Sequence, residues 1–429
     1  MNKRNQIKTG YIQTEIGRIP KEWEVVELGT CIDVFSGYAF KREDFLTNKS
    51  KGVPIIKIGN LQNGKVIIDD KTSFVPRDFY EKLFDFQLHY GDVLIALSGA
   101  TTGKIAVVDK DIGLALVNQR VGKFKILNSN ISQKFFYFLA QSDNFKKFVL
   151  RNIGQSAQGN LSPNQVKKSK IPLPPLPEQQ KIAEILSTVD SAIEKVNQAI
   201  EKTQRLKNGL MQELLTKGIG HKEFKDTEIG RIPKEWEVVR LSDVGTLQYG
   251  VTAAATKDYT GIKFLRITDI KDDGIDWLNA PYCELKEGEL KKYELRLSDV
   301  LFARIGATTG KTCLIDKPVR SAFGSYLIRF QPSIKEINTK FLYFYTQSEI
   351  YWLQINMSKG GQLKKGLNSK LLGNLKLPLP PLPEQQKIAE ILSTVDKRLE
   401  LLKKKKEKLE RIKKGLMNDL LTGKRRVKV

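Results

Sequence analysis

PLPPLPEQQKIAEILSTVD occupies residues 172–190 and recurs, letter for letter, at residues 378–396. The stretch changes character in its middle. Pro172, Pro174, Pro175 and Pro177 oppose helix and favour an extended arm, because each fixes φ and removes a backbone donor. Pro177 also stands where a proline can open a helix, and Glu178 follows in the first turn, where a carboxylate suits the helix dipole. From Ile182 onward the apolar positions step alternately by four and three, through Leu186, Val189, Ile193, Val196, Ile200, Thr203, Leu210 and Leu214. The second copy runs Ile388, Leu392, Val395, Leu399, Leu402, Leu409, Leu416 and Leu420. An a/d seam held for about five heptads predicts a coiled-coil helix in each copy, and such a helix needs a partner. Its twin is the obvious one, although charge interrupts the seam at Lys207, Lys406 and Lys413.

A second block repeats as well. TEIGRIPKEWEVV at 14–26 returns at 227–239, an offset of 213 residues, whereas the offset of the proline-rich block is 206. Seven residues are therefore absent between the blocks of the second copy. A period of this size is that of a whole domain plus a helix, so the chain is a tandem duplication of one module. Between the identical blocks the two copies have diverged almost beyond alignment, and they share a frame while differing in content. VPIIKIGNL at 53–61, GDVLIALSG at 91–99 and RVGKFKIL at 120–127 read as strands, followed by a helical stretch at 131–152. GIKFLRITDI at 261–270, SDVLFARIG at 298–306, YLIRF at 326–330 and a helical stretch at 338–357 repeat that order. The expected fold is α+β, with two globular domains and two long helices forming an antiparallel coiled coil of pseudo-twofold symmetry. The expected boundaries are 1–177 for the first domain, 178–216 for its helix, 217–383 for a linker and second domain, 384–421 for the second helix, and 422–429 for a basic tail. At 1.5 Å per residue, about 36 residues make a rod of roughly 54 Å. Closure of the repeat would bring residues 422–429 near residues 1–14.

The 72 Lys and Arg outnumber the 48 Asp and Glu and leave a formal charge of +24, which makes polyanions the expected partners, nucleic acid before an anionic membrane surface. No signal segment is read in Met1–Gly10, and no apolar run approaches the length that spans a bilayer. Cys31, Cys283 and Cys313 are odd in number and widely spaced, as reduced cytoplasmic thiols would be, and the two histidines, His89 and His221, fall at unmatched positions. Disulfide frameworks and histidine metal centres are thereby excluded as expectations.

The paired IG.IP..W.....L blocks, the PLPPLPEQQKIAEIL blocks and the helix ends GLMQELLTKG and GLMNDLLTGK resemble the specificity subunit of type I restriction-modification systems over nearly the entire chain. The resemblance implies two target-recognition domains, each reading half of a split double-stranded DNA site, with the helix pair as a ruler for the gap. It implies docking of two adenine-methylating modification subunits on the helices and, through them, two ATP-driven restriction subunits. It implies no catalysis by this chain and no cofactor of its own, with S-adenosylmethionine, ATP and magnesium held by the partners.

The residues agree with a chain that performs no chemistry. GATTGK at Gly99–Lys104 and again at Gly306–Lys311 imitates a phosphate loop, but three residues separate its glycines where four are needed to wrap a phosphate. A tight turn that places Lys104 and Lys311 for backbone phosphate contacts, or a plain turn, is the better reading. No Asn or Asp precedes Pro-Pro-Tyr or Pro-Pro-Phe, so an amino-methyltransferase site is absent. Recognition then rests on basic and amide side chains, since Arg and Lys pair with guanine and Gln and Asn with adenine. The candidates are Lys57, Ser98, Gln119, Arg120, Gln155 and Gln158 in the first module, and Arg266, Arg304, Ser325, Tyr326, Gln362 and Lys364 in the second. From Asp396 to Val429 there are 14 Lys or Arg, a run that could contact DNA phosphates, bind an acidic face of a partner subunit, or be an exposed helix face with a frayed tail.

Overall fold

The computed structural model of the chain describes residues 10–47, 52–151, 160–271, 274–332, 336–358 and 366–428. It forms two compact units, residues 1–196 with 405–429, and residues 197–404.

Each unit starts from the repeated TEIG turn. In the first, Tyr11–Thr14 pairs antiparallel with Gly17–Pro20, Thr14 Oγ1 donates to the Gly17 carbonyl at 2.6 Å, and Gly17 takes a φ of 117°. In the second, Phe224–Thr227 pairs with Gly230–Pro233, and Thr227 closes the same turn onto Gly230. The strand after the tryptophan, Glu24–Glu27, then pairs with the proline-rich arm, Lys170–Leu173, and Glu237–Arg240 pairs likewise with Lys376–Leu379. The two repeated blocks thus meet each other within each unit. A two-stranded ribbon accepts Pro172 and Pro378 because an edge position needs no donor there.

Between the blocks, the first unit builds a six-stranded sheet in the order Ile32–Ser36, Val121–Ile126, Val93–Ala96, Ile105–Val107, Lys65–Val66, Leu61–Gln62. A smaller sheet joins Leu116–Val117, Val53–Ile56 and Ser73–Val75. The second unit has a four-stranded sheet, Gly245–Tyr249, Leu327–Pro332, Val300–Ala303, Thr312–Leu314, and a parallel pair of Lys263–Leu265 with Ser321–Phe323. The fold class is the α+β expected. The helical stretch at 131–152 is, however, two helices, Gln133–Gln141 and Asp143–Arg151. Ser142 divides them: its extended backbone ends the first, and its Oγ accepts the Phe145 N–H at 3.1 Å to cap the second. In the second unit Thr346 ends Thr339–Tyr345, and Ser348 Oγ accepts the Tyr351 N–H at 3.3 Å to cap Glu349–Ser358.

The long helices run over Leu176–Leu214 and Leu382–Leu420, 39 residues each. In the first unit Ile182, Ala183 and Leu186 pack with Leu420 and Leu421 onto a core of Val93, Phe124, Phe135 and Phe136. In the second, Met211, Leu214 and Leu215 join Ile388 and Leu392 over Val300, Phe302, Phe330 and Phe341. The helices are antiparallel within each unit. Asp190 meets Lys413 at 2.6 Å while Glu178, lower in number, meets Arg426 at 2.7 Å. Lys207 meets Asp396 at 2.7 Å while Glu384 accepts from the Ile219 N–H at 2.8 Å. Along the seam Ile182, Leu186, Val196, Ile388, Leu392 and Leu399 are buried, and Val189, Ile193, Ile200, Val395, Leu402 and Leu409 are half-buried.

Two of the three charges that interrupt the seam are therefore paired across the helices, and the third, Lys406, meets Glu410 on its own helix at 4.0 Å. Lys207 and Lys413 are equivalent across the repeat, as are Asp190 and Asp396, so each unit carries the same lysine–aspartate bridge with the roles of the helices exchanged. The lysine side chains are 12% and 19% exposed. Replacing Lys413 by Met strands a partly desolvated Asp190. The expected loss is about 1–2 kcal/mol, less than for a fully buried pair, with partial recovery in an Asp190→Asn, Lys413→Met double variant read by thermal denaturation.

The repeated glutamate and glutamine fasten each helix to its unit. Glu178 Oε2 accepts from the Trp23 indole at 2.9 Å, and Glu384 Oε2 from Trp236 at 2.9 Å. Gln179 is fully buried and holds only main chain: its Oε1 accepts the Ser132 N–H, and its Nε2 donates to the carbonyls of Asn130 and Pro174. Gln385 repeats all three bonds with Asn338 N–H and the carbonyls of Glu336 and Pro380. The tail returns to the first unit as the closure of the repeat requires. Tyr11 Oη donates to the Gly423 carbonyl at 2.9 Å, and Arg426 clasps Glu178 from Nε and Nη2 while its Nη1 reaches Glu22.

Candidate nucleic-acid interface

The two GATTGK segments close with the same hydrogen bonds after a fully buried strand, the second through a 3-10 turn at Gly306–Thr308. Thr102 Oγ1 donates to the Gly99 carbonyl and Thr309 Oγ1 to that of Gly306, and all four glycines have positive φ. The N–H groups of Thr102, Gly103 and Lys104 bond to Gly99, Ala96 and Thr101, and those of Thr309, Gly310 and Lys311 to Gly306, Ala303 and Thr308. The last three main-chain donors of each turn are thus spent inside it and cannot wrap a phosphate. Lys104 and Lys311 are both half-buried at the close of their turns.

These turns sit at one end of the sheet, and the candidate residues gather round them. In the first unit the Leu97 N–H bonds to the Arg120 carbonyl, Gln119 N–H to the Tyr38 carbonyl, and Asn118 N–H to the Ile56 carbonyl, next to Lys57. The approach is close. A Cβ on Gly37 would collide with the carbonyls of Val117 and Asn118, and one on Gly250 with those of Gly324 and Phe323. In the second unit the same ladder reads Arg304 N–H to the Tyr326 carbonyl, Ser325 N–H to Val251, and Gly324 N–H to Leu265, next to Arg266. The structure thereby equates Lys57 with Arg266, Gln119 with Ser325 and Arg120 with Tyr326. It equates Arg304 with Leu97, one place before Ser98, because the offset over the turn is 207 residues where the later loop has 206.

The side chains at these places differ in kind. Lys57 Nζ donates to Ser73 Oγ at 2.8 Å and lies 4.2 Å from the centre of the Phe45 ring, and burial pushes its pKa below the usual lysine value. Ser98 Oγ is buried without a hydrogen-bond partner among the described residues. Gln119 and Arg120 are exposed, and their side chains carry no bond among the described residues. Arg266 is bound by Asp269 through its N–H, Nε and Nη2, and those bonds raise its pKa. The guanidinium carbon of Arg304 is over the Tyr249 ring, 5.0 Å from its centre, and Tyr326 stands 55% exposed. Gln155, Gln158, Gln362 and Lys364 fall outside the described residues. Sequence reading missed Tyr249, which lies 55 positions before Arg304 and carries no local signal. It also missed the cation–carboxylate pair at equivalent places in the sheets, Lys123–Asp92 at 2.7 Å and Arg329–Asp299 at 3.4 Å.

Among the described residues no group of three or more His, Cys, Asp or Glu is placed to hold a metal, and no helix is long and apolar enough to cross a membrane. The three cysteines are free and buried, and burial pushes the Cys283 thiol up to about 11 and that of Cys313 to about 12. What the sites offer is donors, acceptors and aromatic faces on a rigid frame, doubled.

The sequence profile of the type I restriction modification DNA specificity domain matches this chain twice, over residues 20–203 and 233–411. The chain belongs to that family. The type I restriction enzyme MjaVIII specificity subunit of Methanocaldococcus jannaschii is 31% identical over 421 residues, which cover 96% of this chain and 95% of the relative. The EcoBI specificity subunit of Escherichia coli is 25% identical over 86% of this chain and 78% of its own length. Among solved structures, the S subunit of a type I restriction-modification system from M. genitalium matches with a TM-score of 0.59 over 93% of this chain and 96% of that one. At 15% identity that likeness is one of fold, and the two family matches fall on the two copies of the duplicated module.

Proposed function

We propose that this specificity-family chain reads a bipartite, asymmetric sequence in double-stranded DNA, one half by each unit, and performs no catalysis itself. The observation that carries this is the doubled hydrogen-bonded frame around the GATTGK turns, which presents Lys57, Gln119 and Arg120 in one copy and Arg266, Ser325 and Tyr326 in the other. The same frame with different donors reads different bases, since base edges in the major groove differ in their donor and acceptor patterns. The antiparallel helices set the spacing between the half-sites and dock two modification subunits, and two restriction subunits join through these. S-adenosylmethionine, ATP and magnesium belong to those partners, and the complex works in the cytoplasm. The net charge of +24 supplies the sequence-independent attraction to phosphates.

Mapping methylated adenines in cells that express the chain with its modification subunit tests the reading. The expected map shows one motif with two short specified halves and an unspecified gap. For the purified complex, the logarithm of the binding constant should fall linearly with that of salt, by about 0.9 for each phosphate neutralised. A duplex lacking one half should bind about a thousandfold more weakly or worse. Equal binding to unrelated duplexes or to RNA contradicts the proposal and points to a general polyanion scaffold.

A further inference from the structure

We infer that Arg304 is the residue with which the second unit specifies a guanine, and that Tyr249 is its positioning partner. The inference rests on the reading of that unit as a DNA reader and names the base and the group that selects it.

Bidentate pairing with guanine O6 and N7 needs a guanidinium that is held in plane, unneutralised, and left with two donors facing outward. The second unit has two candidate arginines on its binding frame. Arg266 fails on the second count, because its N–H, Nε and Nη2 are all committed to Asp269, a buried carboxylate. Arg304 has no such commitment to a described carboxylate. Its guanidinium lies over the Tyr249 ring, its Nε donates to the Leu367 carbonyl at 3.3 Å, and its Nη1 donates to the Ser325 carbonyl at 3.4 Å. These two bonds fix the orientation of the plane. They leave one N–H of Nη1 and both of Nη2 to offer to a guanine edge. Among the described residues no carboxylate is paired with Arg304.

The platform is itself held. Tyr249 Oη accepts the Ser369 N–H at 2.9 Å, and the Arg304 main chain is clamped on both sides, with its N–H on the Tyr326 carbonyl and its carbonyl accepting from Leu367 N–H. A pre-oriented guanidinium loses less side-chain freedom on binding than a free one, which is what a specifying contact requires. Among the described residues of the first unit nothing repeats this contact. Leu97 stands at the equivalent place with its side chain buried, and its N–H and carbonyl make the matching bonds with Arg120 and Leu161. The contact is thus a property of one half-site only.

The test uses the full chain with its modification subunits in a host without other adenine methylation, followed by methylation mapping. The wild-type motif should contain a G·C pair in the half that stays unchanged when the first unit is exchanged. In Arg304→Ala that one pair becomes degenerate, with discrimination falling between about fivefold and about a hundredfold, while every other specified position is kept. Arg304→Lys keeps the charge and loses the planar fork, so overall methylation persists while preference for guanine falls. Tyr249→Ala should weaken the same preference to a smaller degree. Retention of all base preferences in both Arg304 variants overturns the inference, as does relaxation at a pair other than G·C or in the other half. Where a variant abolishes methylation, the purified complex is titrated onto duplexes carrying each base at that pair, and an equal loss on all of them also overturns it. Failure of the broader reading looks different: the wild-type chain then yields no bipartite motif at all.

Discussion

Exchange of residues 30–165 for the corresponding segment of a relative is expected to rewrite one half of the methylated sequence and to leave the other half, and the gap, unchanged. Both junctions lie at one place in the first unit. The Leu28 N–H bonds to the Ser169 carbonyl at 2.8 Å, just outside the two cuts, so the segment leaves and re-enters the unit at a single doorway. The parts that hold the long helix, Trp23, Glu178 and Gln179, all remain in the recipient. Each mismatched base pair in a recognised site costs about 1–3 kcal/mol, roughly additively. A half-site of three or more pairs therefore shifts preference by about a thousandfold or more, read as disappearance of the old motif from the methylation map and appearance of a hybrid. A change in both halves, or in neither, would falsify the division of labour between the units.

Replacement of Gln179 by Leu should be the most damaging single change to stability among those that leave both binding faces intact. Leucine matches the amide in bulk but leaves the Ser132 N–H and the carbonyls of Asn130 and Pro174 buried without their partner. Each such orphan costs about 1–3 kcal/mol, and partial relaxation brings the sum to about 3–5 kcal/mol. For a unit of this size that is a fall in Tm of roughly 10 °C. Gln179→Glu should be no better, since a carboxylate keeps the bond from Ser132 and turns repulsive oxygen toward two carbonyls. Gln385→Leu is expected to reproduce the loss in the second unit. A melting temperature within about 2 °C of the unsubstituted chain in both leucine variants sinks this account of the repeated glutamines.

The duplication, the extended arm, the helix starts and the seam were legible in the letters because each depends on neighbours within a few residues. Proline chemistry around Pro172–Pro177 needs no tertiary knowledge, and neither does the apolar spacing from Ile182 to Ile200. The sheets were legible only as strands. Their order places Lys65–Val66 beside Ile105–Val107 and Ile32–Ser36 beside Val121–Ile126, pairings between segments tens of residues apart that no local pattern encodes. Lys207 and Lys413 read as defects in the seam, since the aspartates that complete them lie on the other helix. At the binding frame the letters located the turn and missed what orients the reader: nothing near Arg304 in sequence announces Tyr249, and the one-residue change of offset hides that its counterpart is Leu97.

Gln179 and Gln385 grip peptide groups that every amino acid possesses. Descendants of the ancestral gene could thus exchange almost any letter in the gripped stretches without renegotiating their mooring, provided the path of the chain survived. Such indifference is a physical licence for rapid divergence on one side of the joint and strict inheritance on the other, which is the contrast between the variable interiors and the two verbatim blocks.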